Sequence, residues 1–299
     1  FFDVPDWQKL DISKLSALAQ TSSMYDMNGE LMSELRGSEN RIIVSLDEIP
    51  LHTRQAFIAA EDLRFYDHRG IDVYRILGAL RSNLKSGSLA EGASTITQQL
   101  AKLTHLSAEK TIRRKLEEIN LAFQIEKVYN KDEILAMYLN TVYFGRGAYG
   151  IQAAAQAYFG VDAEELTLNQ SASLAAIIKA PSIYAPHISP SNNRSRRQYI
   201  LSVTAENGFI SQEEKQAALD ESIWVLAQEA EKQLYSWYID EALRESAELL
   251  GLSADEVIQG GFKIYTAYDA RLQTIADEVY ADSSFFPAEI GRASCRERV

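Results

Sequence analysis

Between residues 53 and 205 the chain restarts helices at short intervals. Asn130 with Glu133, and Thr167 with Gln170, are capping pairs in which each side chain accepts from the other's backbone N–H. Gly70, Gly87, Gly92, the glycines at 145, 147 and 150, and Pro181 punctuate the apolar helical periods. Ser211 with Glu214 and Ser253 with Glu256 open further, acidic helices. Apolar stripes cut this short are buried by packing helix on helix, so the fold is expected to be mainly α. Two stretches depart from the pattern. Residues 24–46 alternate loosely around Met27-Asn28-Gly29, which predicts a small hairpin. Residues 261–289 open on Gly261-Phe262-Lys263-Ile264-Tyr265-Thr266-Ala267-Tyr268-Asp269 with period two and then turn helical, as the start of an α/β region would.

A chain of 299 residues can hold one large or two ordinary domains, and 46% hydrophobic with 24% charged content is globular composition. No apolar run approaches the roughly 20 residues that span a bilayer, and no signal peptide is visible. The chain opens on Phe1-Phe2-Asp3, which reads as a fragment without its N-terminal anchor. The net charge of −12 is unevenly placed, with twelve acids against three cations over 211–260. Residues 100–131 lean the other way, with seven Lys/Arg against four acids, as an anionic ligand would require. The single Cys295 excludes an internal disulfide. Residues 290–299 have no apolar period and read as an artefactual tail.

Two polar blocks sit inside the helical region. The first runs Glu61-Asp62-Leu63-Arg64-Phe65-Tyr66-Asp67-His68-Arg69-Gly70, the second Gly92-Ala93-Ser94-Thr95-Ile96-Thr97-Gln98-Gln99-Leu100-Ala101-Lys102. Polar groups among apolar rows cost free energy to bury, so packing alone does not account for them. On a helix from Thr53 to Tyr66, Glu61 lies between Phe57 and Phe65 at i−4 and i+4. Desolvation there favours its neutral form and makes a stronger base. His68 has no partner at metal-ligand spacing and is expected to close the helix end near Gly70. Ser94, Thr97, Gln98 and Gln99 offer groups suited to sugar hydroxyls and phosphate oxygens, and Lys102 adds a point charge one turn on. On an amphipathic helix from Thr111 to Tyr129, with Ile112, Leu116, Ile119 and Phe123 as its apolar row, Glu118 has Arg114 at i−4 and Lys115 at i−3. Glu117 points elsewhere, into solvent. Residues 71–91 interleave apolar positions with Arg75, Arg81 and Lys85, the pattern of a segment lying on an anionic membrane.

The two polar blocks resemble the first two signature motifs of the peptidoglycan glycosyltransferases, glycosyltransferase family 51, the chain-polymerising domain of bifunctional class A penicillin-binding proteins. Arg114-Lys115 with Glu118 and Ala122 resembles the third motif. Residues 131–151, with Asn140, Tyr143, Gly145 and Arg146, resemble the fourth, and Leu174 through Pro186 the fifth. The resemblance covers about residues 61–186 in order. It implies a lysozyme-like helical domain that joins lipid II into β-1,4 glycan with inversion. Glu61 and Glu118 would be catalytic. Asp62, Ser94, Thr97, Gln98, Gln99, Lys102, Arg114, Lys115, Asn140 and Arg146 would bind substrate, and Phe65, His68, Gly70, Tyr143 and Gly145 would be structural. No cofactor is required. Glu118 could hold Mg²⁺ or another divalent cation, which the sequence does not demand. The partners implied are lipid II, the growing glycan, the extracytoplasmic face of the bacterial cytoplasmic membrane and cell wall assembly proteins, with no nucleic acid. The division expected is an N-terminal juxtamembrane region over 1–52, the glycosyltransferase domain over 53–205, an acidic helical linker over 206–260 and the start of a transpeptidase linker over 261–289. Ser107-Ala108-Glu109-Lys110, Ser191-Asn192-Asn193 and Lys85-Ser86-Gly87 match penicillin-binding patterns only loosely and in the wrong order, so they read as chance.

Overall fold

The computed structural model of the chain describes residues 9–16, 20–35, 40–78, 94–106, 111–227 and 236–281. They are mainly helical, as expected, and fall into two compact units. The first comprises the described residues up to 20 and from 40 to 227.

Its centre is the helix Leu168–Ile178, with Ser171, Ala172, Ser173, Leu174, Ala175 and Ala176 all buried. Small side chains let two other helices, Leu51–Glu61 and Pro190–Glu206, approach it closely. The polar members of the row bond across these contacts. Thr53 and Ser171 share a hydroxyl–hydroxyl bond of 2.8 Å, and Ser173 Oγ donates to Asn193 Oδ1 at 2.9 Å. A second group is formed by Ile96–His105 packed on Ile112–Val128 and Lys131–Thr141. Each of these three helices starts at a capping residue, Thr95, Thr111 or Asn130, whose side chain accepts a backbone N–H of the first turn. The capping pairs read at Asn130–Glu133, Thr167–Gln170 and Ser211–Glu214 are all made.

Two short strands, β3 (Asn40–Arg41) and β4 (Ala148–Tyr149), pair in parallel. The turn that leads into β4 carries positive φ at Gly145, Arg146 and Gly147, and Gly150 just after the strand has positive φ too. A Cβ on Gly150 would lie 2.7 Å from the Asn140 carbonyl oxygen, so the strand returns against the helix end only because that side chain is absent.

The second unit joins residues 21–35 to 236–281. The hairpin expected at Asn28-Gly29 is present as β1 (Ser22–Tyr25) and β2 (Leu31–Leu35), antiparallel, with Asp26 accepting the N–H groups of Asn28 and Glu30 at 2.8 Å each. Strand β5 (Lys263–Tyr265) adds parallel to β1. Met24 and Leu35 pack with Ile239 of the Ser236–Leu250 helix in a small core of their own.

Candidate active site

The first polar block is built on a helix that stops sooner than its pattern suggests. Asp62 leaves the helix with φ −157° and ψ 72°, so Leu51–Glu61 ends at the glutamate itself instead of continuing to Tyr66. The reason lies in tertiary hydrogen bonding. Both Asp62 carboxylate oxygens accept from His68 Nε2, at 2.9 and 3.0 Å, and one also accepts the Ile96 backbone N–H at 3.0 Å. Asp62 is 1% exposed. It therefore ties the end of one helix to the start of the next. His68 bonds this carboxylate, and Phe65 enters the core from the turn. Gly70 has φ 83°, and a Cβ there would lie 3.1 Å from the Ala122 carbonyl carbon; its own carbonyl accepts from Thr95 Oγ1 at 2.6 Å.

The second block supplies two adjacent amides that reach two different carboxylates. Gln99 Nε2 donates to Glu61 Oε2 at 2.9 Å, and Gln98 Nε2 donates to Glu118 Oε1 at 3.2 Å. The Gln99 carbonyl oxygen accepts from the buried Tyr138 hydroxyl at 3.3 Å, and the Gln98 carbonyl oxygen accepts the Thr95 backbone N–H at 3.0 Å. Each amide is thus oriented to present its NH₂ to an acid.

The two acids differ in environment. Burial raises the Glu61 pKa above the ordinary glutamate value, opposed by the Gln99 hydrogen bond and by the charges of Arg196, Arg75 and Lys179. Glu118 is 2% exposed and is held between cations, with Lys115 Nζ on Oε1 and Arg114 Nη1 3.5 Å from Oε2. Lys115 also donates to Ser94 Oγ at 2.8 Å. Arg114 Nε is buried and has no hydrogen-bond partner among the described residues. Lys102 is exposed, and no hydrogen bond or ion pair of its side chain is found among the described residues.

The chain matches the Transglycosylase family model over residues 28–205. Among curated relatives it is 40% identical to penicillin-binding protein 1F of Bacillus subtilis (strain 168) over 279 residues, which is 93% of this chain and 39% of that one. It is 45% identical to penicillin-binding protein 1A/1B of the same organism, covering 92% of this chain and 30% of that one. It is 40% identical to penicillin-binding protein 1A of Escherichia coli (strain K12), covering 85% and 30%. The chain belongs to the transglycosylase family. It spans between 30% and 39% of the length of these relatives.

In this transglycosylase-family chain, several residues read as substrate contacts are otherwise engaged. Asp62 is enclosed as described. Thr97 Oγ1 donates to Glu126 at 2.7 Å, away from both acids. Asn140 is 3% exposed; its amide donates to the Val44 and Ala136 carbonyls, and its carbonyl accepts the Val44 N–H. Arg146 donates to the carbonyls of Ala157 and Leu226 and lies over the Tyr158 ring at 4.8 Å. Tyr143 packs on Tyr149 with ring centroids 4.7 Å apart, and Gly145 holds φ 86° beside the Tyr158 hydroxyl. Glu117 pairs with Arg113 at 3.1 Å instead of facing water alone.

Tyr138, Lys179 and Arg196 belong around Glu61 and carry no separate signal in the sequence; Arg75, read as part of a membrane-lying segment, joins them through its charge and its bond to the Glu61 carbonyl. They come from separate elements of the fold, and nothing local to Arg194-Ser195-Arg196-Arg197 signals a partner so far away in the chain. The residues around Glu118 do not fit a resident divalent cation. Its oxygens already face Lys115, Arg114 and Gln98, and no group of three metal-binding side chains occurs among the described residues.

Proposed function

We propose that this chain is a peptidoglycan glycosyltransferase that polymerises lipid II into β-1,4 glycan in bacterial cell wall synthesis. The observation that carries the reading is the pair of adjacent glutamines holding one acid raised in pKa and one acid locked between cations. Two carboxylates pushed apart by their surroundings suit two roles.

Glu61 takes the proton from the acceptor's 4-hydroxyl. That oxygen attacks the donor's anomeric carbon from the face opposite the pyrophosphate. The new C–O bond forms as the old one breaks, configuration inverts, and undecaprenyl pyrophosphate departs with the electron pair. Lys102, Arg114 and Lys115 stabilise the departing charge. Glu118 keeps the two arginine and lysine heads in place. Asp62, with His68, positions Glu61 against the second helix. Arg196 and Lys179 join the ligand-facing cations.

A membrane-facing role rests on exposed apolar side chains. Val73, Tyr74 and Leu77 of the helical residues 73–78 are 53%, 75% and 57% exposed, and Ile112 and Leu116 are 85% and 63% exposed. Residues 79–91 of the expected interfacial segment lie outside the described residues. No helix among the described residues is long and apolar enough to cross a membrane. The reading places the enzyme on the outer face of the cytoplasmic membrane, with a glycosyltransferase domain over about 53–205, inside a longer protein that also carries a transpeptidase and meets other wall-assembly proteins.

The rival chemistry is glycan cleavage by a lysozyme-like hydrolase. Lipid II incubated with the chain in detergent is expected to yield long glycan, and purified cell wall to yield no short muropeptides. Muropeptide release without polymer would overturn the proposal.

A further inference from the structure

Glu61 is the last residue of the helix Leu51–Glu61, and a helix end leaves its final carbonyls without an intrahelical partner. The chain turns away at Asp62, and no backbone N–H among the described residues bonds the Glu61 carbonyl. Arg75 takes that place, with Nη1 donating to the Glu61 carbonyl oxygen. A cation at a helix C-terminus meets the negative end of the helix dipole, so this bond caps the helix and sets a positive charge beside the glutamate. Three cations act on the Glu61 carboxylate, Arg196, Arg75 and Lys179. Among the described residues only Arg75 of these three is hydrogen-bonded to residue 61. The other groups facing the carboxylate are the Gln99 amide, which donates to it, and the Tyr138 hydroxyl, raised in pKa by burial and by the charges of Glu61 and Asp62.

Arg75 is itself half-buried and anchored through its backbone. Asp72, 2% exposed, stands just before the helical residues 73–78. Its Oδ1 accepts the Arg75 backbone N–H at 2.9 Å, and its carbonyl accepts the Ile76 N–H at 3.0 Å, so it caps this turn. Arg64 locks the cap in a bidentate pair, with Nε donating to Asp72 Oδ2 at 2.9 Å and Nη2 donating to Oδ1. The Tyr74 ring lies over the Arg64 guanidinium, 4.5 Å from its centroid. A two-pronged pair fixes direction as well as distance. Arg64 sits in the turn that follows Glu61, so the pair ties that turn to the segment that carries Arg75.

We propose that Arg75 is a positioning residue for Glu61, held on the Glu61 carbonyl by the Arg64–Asp72 pair. This rests on Glu61 being the base of the glycosyltransferase reading. Removing the Arg75 charge makes the Glu61 carboxylate harder to ionise, so the acidic limb of the rate–pH profile moves to higher pH. The test measures polymerisation of lipid II in detergent against pH by the intact chain, Arg75→Met, Arg75→Lys, Asp72→Asn and the double variant Asp72→Asn with Arg75→Met. Folding of each is checked by circular dichroism. Arg75→Met is expected to move the acidic limb up by about half a pH unit or more, less than the roughly 1–3 of a direct ion pair because Arg75 bonds the carbonyl and not the carboxylate. On that limb kcat falls about threefold, the deficit narrows as pH rises, and KM stays within about twofold. Arg75→Lys, which keeps the charge, should recover most of the difference. Asp72→Asn should move the limb the same way. Loss of the Asp72 charge alone would move it down, so an upward move marks action through Arg75 and should vanish in the double variant. An unmoved limb in folded Arg75→Met or Asp72→Asn, a loss equal at every pH, a raised KM with the limb in place, or an upward move from Asp72→Asn that persists without Arg75 would overturn the inference. The Glu61 carboxyl, titrated by carbon-13 NMR and assigned with Glu61→Gln, reads the same change without turnover. A higher titration in Arg75→Met with no glycan from the intact chain would sink the enzyme reading and leave the positioning. Glycan from the intact chain with an unmoved titration in Arg75→Met would sink the positioning alone.

Discussion

At the scale of single residues, Glu61 is kept at a cost to the fold. Its pKa is raised by burial, so the folded state binds its proton more tightly than the unfolded state. The stabilising contribution of the protonated form is complete below the unfolded pKa and is lost as pH rises through the raised folded value. At neutral pH the ionised carboxylate therefore weakens the structure, and Glu61→Gln should melt at the same temperature as the intact chain or higher. A lower melting temperature would mark Glu61 as a structural acid. The cations around it act in the opposite direction. Arg196, Arg75 and Lys179 favour the carboxylate, so Arg196→Ala should raise the Glu61 pKa further. The acidic limb of the rate–pH profile should then move to higher pH, with the alkaline limb in place. An unmoved acidic limb would separate that limb from Glu61. The motifs make Glu61, Gln98, Gln99 and Glu118 legible as a group, because polar residues in an apolar helical frame need an explanation. They leave Asp62, Asn140 and Arg146 looking like ligand contacts. Only the fold reveals that each spends its hydrogen bonds on backbone or on a buried partner.

At the scale of elements, helix starts are legible and helix faces are not. A capping pair is local, so Asn130–Glu133 and Thr167–Gln170 appear where the spacing puts them. The end of Leu51–Glu61 depends on Asp62 bonding across to Ile96, a contact between residues far apart in sequence. The helix Ile112–Val128 shows the same limit. Its apolar row of Ile112, Leu116 and Phe123 is exposed, while Glu118, Leu121, Ala122 and Ile125 are buried. Periodicity identifies the amphipathic helix but not which face meets protein and which meets another apolar medium. Two substitutions test the junctions. Asp62→Ala strands His68 and the Ile96 N–H in the interior and should cost about 3 kcal/mol of stability, measured by denaturant unfolding. Gly150→Ala drives a methyl into the Asn140 carbonyl at positive φ and should cost about 2 kcal/mol or more. If either variant unfolds at the same denaturant midpoint as the intact chain, that junction does not hold the fold as described.

At the scale of the molecule, the described part of the first unit brings chemistry-bearing residues from five helical segments to one place. Glu61, Arg75, Gln98 with Gln99, Glu118 with its cations, and Arg196 are separated by up to 135 positions in the chain. The helix Ile96–His105 is the common support, because consecutive amides on its first turn reach both acids. That convergence, and not any one motif, carries the assignment of a base and an anion cradle. Its most direct test is polymerisation of lipid II in detergent by the intact chain and by Glu61→Gln, with folding of both checked by circular dichroism. Long glycan from the intact chain and a loss of at least about 1,000-fold in the folded variant is the predicted result, within the range a positioned general base supplies. Glycan made at comparable rates by both would contradict the account, because the proton would then be leaving the acceptor hydroxyl by a route that does not involve Glu61.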